Sequence, residues 1–292
     1  MKIALIMTLY NEYYLIENAL DSILGNSKYE CDVYVNLSGP RFVKKNIESL
    51  EKIKNTNYKI FFGASGMEIR NHPTIAENEL IYKSYKELDY DLAIHGSPDF
   101  VFEDRENGFN NFIDMALDHV QDKYIISCVE REGHGARGPF QIRTKKFIEE
   151  VGFGDFNFVP MGASDNDLHR RSLLIFNPGQ DLEYYNSHDN DINAPYAVDI
   201  VIPSTHLSYT DHGSLGIDHT NYFLKNSSDI LNKLYYLQKW GGFPGAFPGA
   251  SGTEAYLYPF NDPDISLKIS YEQIRNGYSK YDRKDIKLLS II

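Results

Sequence analysis

Cysteine, tryptophan and positive charge are scarce in this chain. Its 292 residues hold two cysteines and one tryptophan. Cys31 and Cys128 belong to no CxxC pair, which excludes a zinc ribbon and a disulfide scaffold. Lys and Arg number 29 against 41 Asp and Glu, a formal net charge of −12. A nucleic-acid binder needs a basic footprint to displace counterions from phosphates, so that class is disfavoured, as is docking on anionic lipid through net charge. No window approaches the roughly 18 consecutive apolar residues of a membrane span. The opening run MKIALIM stops at Thr8, too early for a signal h-region and its cleavage site. The expectation is a soluble, cytoplasmic protein. Neither a dividing linker nor a long-period repeat is visible. At about 100–200 residues per domain, this length makes one large domain or two small ones.

What is present is an alternation of strands and helices. KIALIM (2–7), CDVYVNL (31–37), YKIFFGA (58–64), DLAIHG (91–96), YIISCVE (124–130) and AVDIVIP (197–203) are short apolar runs that read as buried strands. Between them, Tyr14, Ile16, Ala19, Leu20, Ile23 and Leu24 recur at helical spacing until Gly25-Asn26, and VKKNIESLEKIK, residues 74–88 and 108–120 read as further helices. FQIRTKKFIEEVG reads as a strand running into a helix closed by Gly152, and SDNDLHRR as a helix start. The pattern is α/β: a Rossmann-like, mostly parallel sheet with helices on both faces. Such sheets bind ligands beyond the carboxyl ends of their strands. That draws attention to Thr8, Asn11, Asn36, Ser38, Ser65 and Ser97 to Asp99.

Four constellations carry candidate chemistry. Ser97-Pro98-Asp99 follows a strand, where a carboxylate can hold a divalent cation against a diphosphate; it also fits a plain Asx turn. Ser164-Asp165-Asn166-Asp167 fits a capped helix start whose acidic residues suit the dipole. A helix start at a crevice is equally a usual seat for a general base. His206, His212 and His219 cluster behind the strand at 197–203, and His206 could complete a metal site with Asp99. The segment 239–260 carries the only tryptophan, Trp240, before the Gly/Pro-rich GGFPGAFPGASG, which reads as a loop. An aromatic there serves as a sugar platform, a lid or a packed anchor.

The collinear set resembles a GT-A glycosyltransferase of the family 2 type, over roughly residues 1–260. The matching pieces are the strand ending TLYNE, the strand ending NLS, the triplet Ser97-Pro98-Asp99 in place of DxD, and Ser164-Asp165-Asn166-Asp167-Leu168-His169-Arg170-Arg171 in place of ED-x-D-L-x-x-R. GFGDFNF resembles the family's G-x-F-D segment, and Lys239-Trp240-Gly241-Gly242 with Glu254 and Pro259-Phe260 its KWGG-PG-E-PF pattern. The resemblance implies nucleotide binding by Thr8, Tyr10, Asn11, Glu12, Asn36 and Ser97. It implies Mn2+ or Mg2+ held by Asp99 and His206, although only the last Asp of the DxD is kept. It assigns Asp165 as the base, and Asp167, Arg171, Trp240 and Glu254 to the acceptor side or a lid.

The implied reaction moves a sugar from a nucleotide-sugar donor, a UDP-sugar by default, to an acceptor hydroxyl of a glycan or related molecule with inversion. The implied layout is one catalytic domain over 1–265. Its donor half is 1–104 and its acceptor half 105–265, followed by an amphipathic tail over 266–292 that packs on the domain, pairs with a second subunit or touches a membrane. Two other readings stand beside it. A GT-A-like binding protein without catalysis would explain Ser97 in place of the first Asp and Ser164 in place of Glu. A nucleotidyltransferase would want a G-x-G-x-R fingerprint near the first strand, which TLYNEYY lacks.

Overall fold

The computed structural model describes residues 1–9, 14–37, 44–64, 73–129, 140–158, 164–180, 196–207, 231–240 except 233 and 237, and 267–275. The chain forms two compact units. The first comprises Met1–Ile148 and Ile192–Ile217, and the second Glu149–Asp191 and Asp218–Ile292.

The first unit is built on a seven-stranded sheet. Its strands are β1 (Lys2–Leu9), β2 (Glu30–Leu37), β3 (Ile60–Ala64), β4 (Leu92–Gly96), β6 (Ile125–Val129), β7 (Phe140–Arg143) and β8 (Ala197–Val201), in the order β3-β2-β1-β4-β7-β6-β8. Only β7 runs antiparallel to its neighbours. A second, two-stranded sheet pairs β5 (Phe100–Phe102) with β9 (Ser204–His206). Neither strand is legible in the sequence, because three residues are too few for a period to register.

The period of two along each strand sorts the residues onto two faces. One face is apolar: Leu5, Val33, Ile94, Ile142 and Ile126 share one register level, and Met7, Val35, Phe140 and Cys128 the next. Against it pack α1 (Ile16–Leu24), through Ile16, Ala19, Leu20 and Ile23, and α4 (Gly108–Leu117), through Phe109, Phe112, Ile113 and Ala116. Gly96 stands where a Cβ would come within 3.0 Å of the Phe140 ring, so the ring takes the space a side chain would fill. Ile53 of α2 (Lys44–Lys54) joins the same core.

The other face carries a polar row. His95, Gln141, Ser127 and Asp199 lie opposite one another on four adjacent strands. Above it runs α3 (Pro73–Tyr82), whose Glu77 pairs with Arg143 at 2.7 Å. Pro73 suits the first helical position, where its missing N–H leaves no bond unmade. The expected single helix over 74–88 is α3 followed by a π-helical turn, Lys83–Glu87. That turn buries Tyr85, whose hydroxyl accepts from Ala93 N (2.9 Å) and donates to the Arg143 carbonyl. The hydroxyl thus links β4 to β7 just beyond the last directly paired residues.

The boundary between the units falls within α5 (Lys145–Glu150), and the second unit contains its last two residues, then α6 (Ser164–Phe176), the helical residues 231, 232, 234–236 and 238–240, and α7 (Tyr271–Arg275). Ile269 bridges Gly152 in parallel, with Phe153 N on the Ile269 carbonyl at 2.9 Å. Gly152 has φ +82°, and a Cβ there would meet the Ile269 carbonyl oxygen at 1.9 Å. Only glycine permits both the backbone and the approach. No described helix is long and apolar enough to cross a membrane.

Candidate functional site

Thr8 and Asn36 face each other across β1 and β2 at the carboxyl end of the sheet. Gly96, the last residue of β4, pairs with Met7, so Ser97 continues that strand beside Thr8. Thr8 and Asn36 thus end two adjacent strands, and Ser97 directly follows the end of a third. The Thr8 Oγ1 and Asn36 Nδ2 atoms are buried and have no hydrogen-bond partner among the described residues. An unmet buried donor costs about 1–3 kcal/mol, so the pair is a place where a polar ligand gains by arriving. A hydroxyl that donates and accepts beside an amide that donates can read carbonyl and N–H groups of a planar base. Tyr10, Asn11, Glu12, Ser38 and Ser65 lie outside the described residues.

Asp99 lies in the turn between β4 and β5, 8% exposed, and its carboxylate accepts from the Ser97 hydroxyl. The two-stranded sheet brings His206 next to it. Phe100 pairs with His206, and Leu207 N donates to the Asp99 carbonyl at 2.9 Å. Residues 107 apart in sequence thus become register neighbours. A carboxylate oxygen is a suitable donor for Mg2+ or Mn2+, and an imidazole suits Mn2+. The backbone brings Asp99 and His206 into neighbouring register, and no cluster of three or more ligand side chains occurs among the described residues. His212, His219 and Glu254 lie outside the described residues.

An open pocket of 430 Å³ is lined by Lys2, Glu30, Asp32, Tyr34, Lys59, Phe61, Lys83, Leu88 and Tyr90. Lys2 and Glu30 begin their strands, so this pocket sits toward the amino ends, away from Thr8 and Asn36. Ligands of parallel sheets bind at the carboxyl ends, and the orphaned polar pair carries more weight than the pocket.

In the second unit, α6 begins at Ser164 and carries Asp165 exposed on its first turn. Its inner side is charged. Asp167 Oδ1 takes Lys239 Nζ at 2.6 Å and Trp240 Nε1 at 2.9 Å, while Oδ2 takes Arg171 Nε at 2.9 Å. Lys239 also reaches Asp155 Oδ2 at 2.8 Å, which Tyr235 OH approaches at 2.7 Å. Arg171 donates its remaining nitrogens to the carbonyls of Val151, Phe153 and Leu267. Asp167, Arg171 and Trp240 are 0% exposed. The resemblance implies an acceptor or lid role for these three; in the structure their side chains are buried and bonded to the framework.

Burial on its own would raise the Asp155 carboxyl, but the Lys239 ammonium, the Tyr235 hydroxyl and the Asn157 N–H outweigh it. Together they hold the group well below the usual carboxylate range.

The mannosyltransferase PcManGT of Pyrobaculum calidifontis, solved with GDP-Man and Mn2+, is similar in structure. Its TM-score is 0.51 at 12% identity, covering 79% of this chain and 62% of that one. The fold is that of a GT-A glycosyltransferase. The chain spans 62% of the length of PcManGT. S. aureus TarS 1–349 scores 0.44 at 11% identity, over 80% and 79% of the two chains. Glucosyl-3-phosphoglycerate synthase from Mycobacterium tuberculosis, with Mn2+, UDP-Glc and PGA, scores 0.43 at 12%, over 80% and 78%. Neither of these two bears on the assignment. No protein-family model and no curated protein sequence matches the chain.

Within this GT-A fold, Asp155 and Lys239 lie in motifs of the sequence that assign neither of them a role. A signal for Asp155 existed: one carboxylate inside GFGDFNF, an otherwise aromatic and glycine stretch, must find a cation or stay wet.

Proposed function

We propose that the protein transfers a sugar from a nucleotide-sugar donor to an acceptor hydroxyl of a glycan or related molecule, with inversion. The observation that carries this reading is the buried, unpartnered Thr8–Asn36 pair at the carboxyl edge of a GT-A sheet. Thr8, Asn36 and Ser97, with Tyr10, Asn11 and Glu12, take the nucleotide, a uridine diphosphate by default. Asp99, with His206, would hold Mn2+ or Mg2+, which when bound neutralises charge on the departing diphosphate.

Asp165 takes the proton of the acceptor hydroxyl as its oxygen attacks the anomeric carbon. The bond from that carbon to the diphosphate breaks, and its electron pair leaves on the phosphate oxygen. The exposed position of Asp165 on a rigid helix suits this role. General-base assistance is worth about 10²–10⁴-fold. Asp165→Asn is therefore expected to lower transfer by about that factor while nucleotide binding, followed by thermal shift, stays within twofold of native. Loss of nucleotide binding in step with activity would remove Asp165 from this role.

Binding without catalysis remains the alternative, favoured by the single carboxylate of Ser97-Pro98-Asp99. Its signature is nucleotide stabilisation of the native chain with no nucleoside diphosphate released from any nucleotide sugar.

A further inference from the structure

On a helix of 3.6 residues per turn, side chains two positions apart point about 200° away from each other. Asp165 and Asp167 are such a pair: Asp167 is 0% exposed and Asp165 is exposed. Whatever fixes the direction of Asp167 therefore fixes the direction of Asp165. Three donors fix it. Lys239 and Trp240 converge on Oδ1 and Arg171 holds Oδ2, so the carboxylate can neither rotate nor slide without breaking a charged or buried bond. Lys239 is itself fixed by Asp155, which the Asn157 N–H and Tyr235 OH hold in turn. The anchors come from Asp155 and Asn157, which shortly precede α6, and from residues 235–240, with Trp240 lying 73 positions from Asp167.

A buried ion pair is a poor source of stability, since apolar residues of the same volume often serve as well or better. Its distinguishing property is direction, which apolar packing lacks. Burial of Leu168, Leu173 and Leu174 secures the attachment of α6, and its directional contacts come from Asp167 and from Arg171, which donates to the carbonyls of Val151, Phe153 and Leu267.

We infer that Asp167, Lys239, Asp155 and Trp240 form a positioning device that sets the rotation of α6 and thereby aims Asp165 at the acceptor hydroxyl. The inference rests on the reading of Asp165 as the general base. None of the four touches the reacting atoms; each acts through the helix. A misplacement of about 1 Å in such a group can cost 10²-fold in rate.

The test uses the full chain and follows nucleoside diphosphate release from the nucleotide sugar that stabilises it most, with water as acceptor. Trp240→Phe keeps an aromatic ring in the site and removes one donor from Asp167. Asp167→Asn keeps the shape and removes the charge. Both are expected to lower kcat about 10- to 100-fold while KM for the donor and the donor-induced thermal shift stay within twofold. In the Asp165→Asn background, Trp240→Phe is expected to cause no further loss, because its effect passes through Asp165. A purely structural role would lower Tm and leave kcat per folded molecule unchanged. Should Asp167→Asn fail to fold, Trp240→Phe decides.

A kcat within twofold of native in folded Trp240→Phe, with Asp165→Asn inactive, overturns the positioning role alone. Additive losses in the double variant overturn it as well. A native chain that releases no nucleoside diphosphate, or an Asp165→Asn variant as active as native, overturns the general-base reading and this inference with it.

Discussion

Asp155 shows how one residue's surroundings become a property of the protein. Its carboxyl is held below the ordinary range by Lys239, Tyr235 and the Asn157 N–H. A depressed folded pKa means the unfolded chain binds protons more readily. The stabilisation is therefore complete above the unfolded carboxylate value of about 3.9 and is lost as pH falls below it toward the folded value. Urea midpoints measured from pH 6 to pH 3 are expected to fall more steeply for the native chain than for Asp155→Asn. Parallel profiles would show that Asp155 contributes no such linkage. The same residue marks the limit of sequence reading at this scale. Its partners Tyr235 and Lys239 lie 80 and 84 positions away, beyond any local pattern.

Among the elements, β7 does more than its four residues suggest. Phe140, 0% exposed, stacks on Phe100 at 5.3 Å and meets Phe102, Phe109 and Phe112 edge-on at 5.5, 6.1 and 5.5 Å. Phe100 follows Asp99 directly, so this cluster also supports the turn that carries the candidate metal ligand. Phe140→Ala is expected to cost about 3–5 kcal/mol, measured by urea unfolding at constant m-value. A loss below about 1 kcal/mol would mean that the neighbouring rings close the cavity. The long strands and α1 were legible because they carry full periods of apolar residues. β5 and β9 were not legible, since each is defined by the other across a hundred residues. The π-helical turn at Lys83–Glu87 was not legible either; the Tyr85 hydroxyl within it bonds Ala93 N and the Arg143 carbonyl, partners set by the tertiary fold.

For the whole molecule, the net charge of −12 sets a global repulsion toward any anionic ligand, which a local cation would offset. A nucleotide at 100 times its Kd stabilises a fold by about 2.7 kcal/mol. Thermal shifts with nucleoside diphosphates are expected to grow when manganese is added. Asp99→Asn should retain the metal-free shift and lose the increment. An increment that survives in Asp99→Asn would take the cation away from Asp99.

The sequence by itself determined the strand–helix alternation, the parallel character of the sheet, and the polar residues that end its strands. These follow from short-range apolar periods and from where each apolar run stops. Tertiary structure decided which of those residues meet. It set Thr8 against Asn36, carried His206 to the register beside Asp99, and turned Asp167 inward so that Asp165 faces out. It also joined Asp155 to Lys239. Each of these relations depends on strand register or on a charge seeking a partner in a dry interior, and neither is written in the spacing of neighbouring residues.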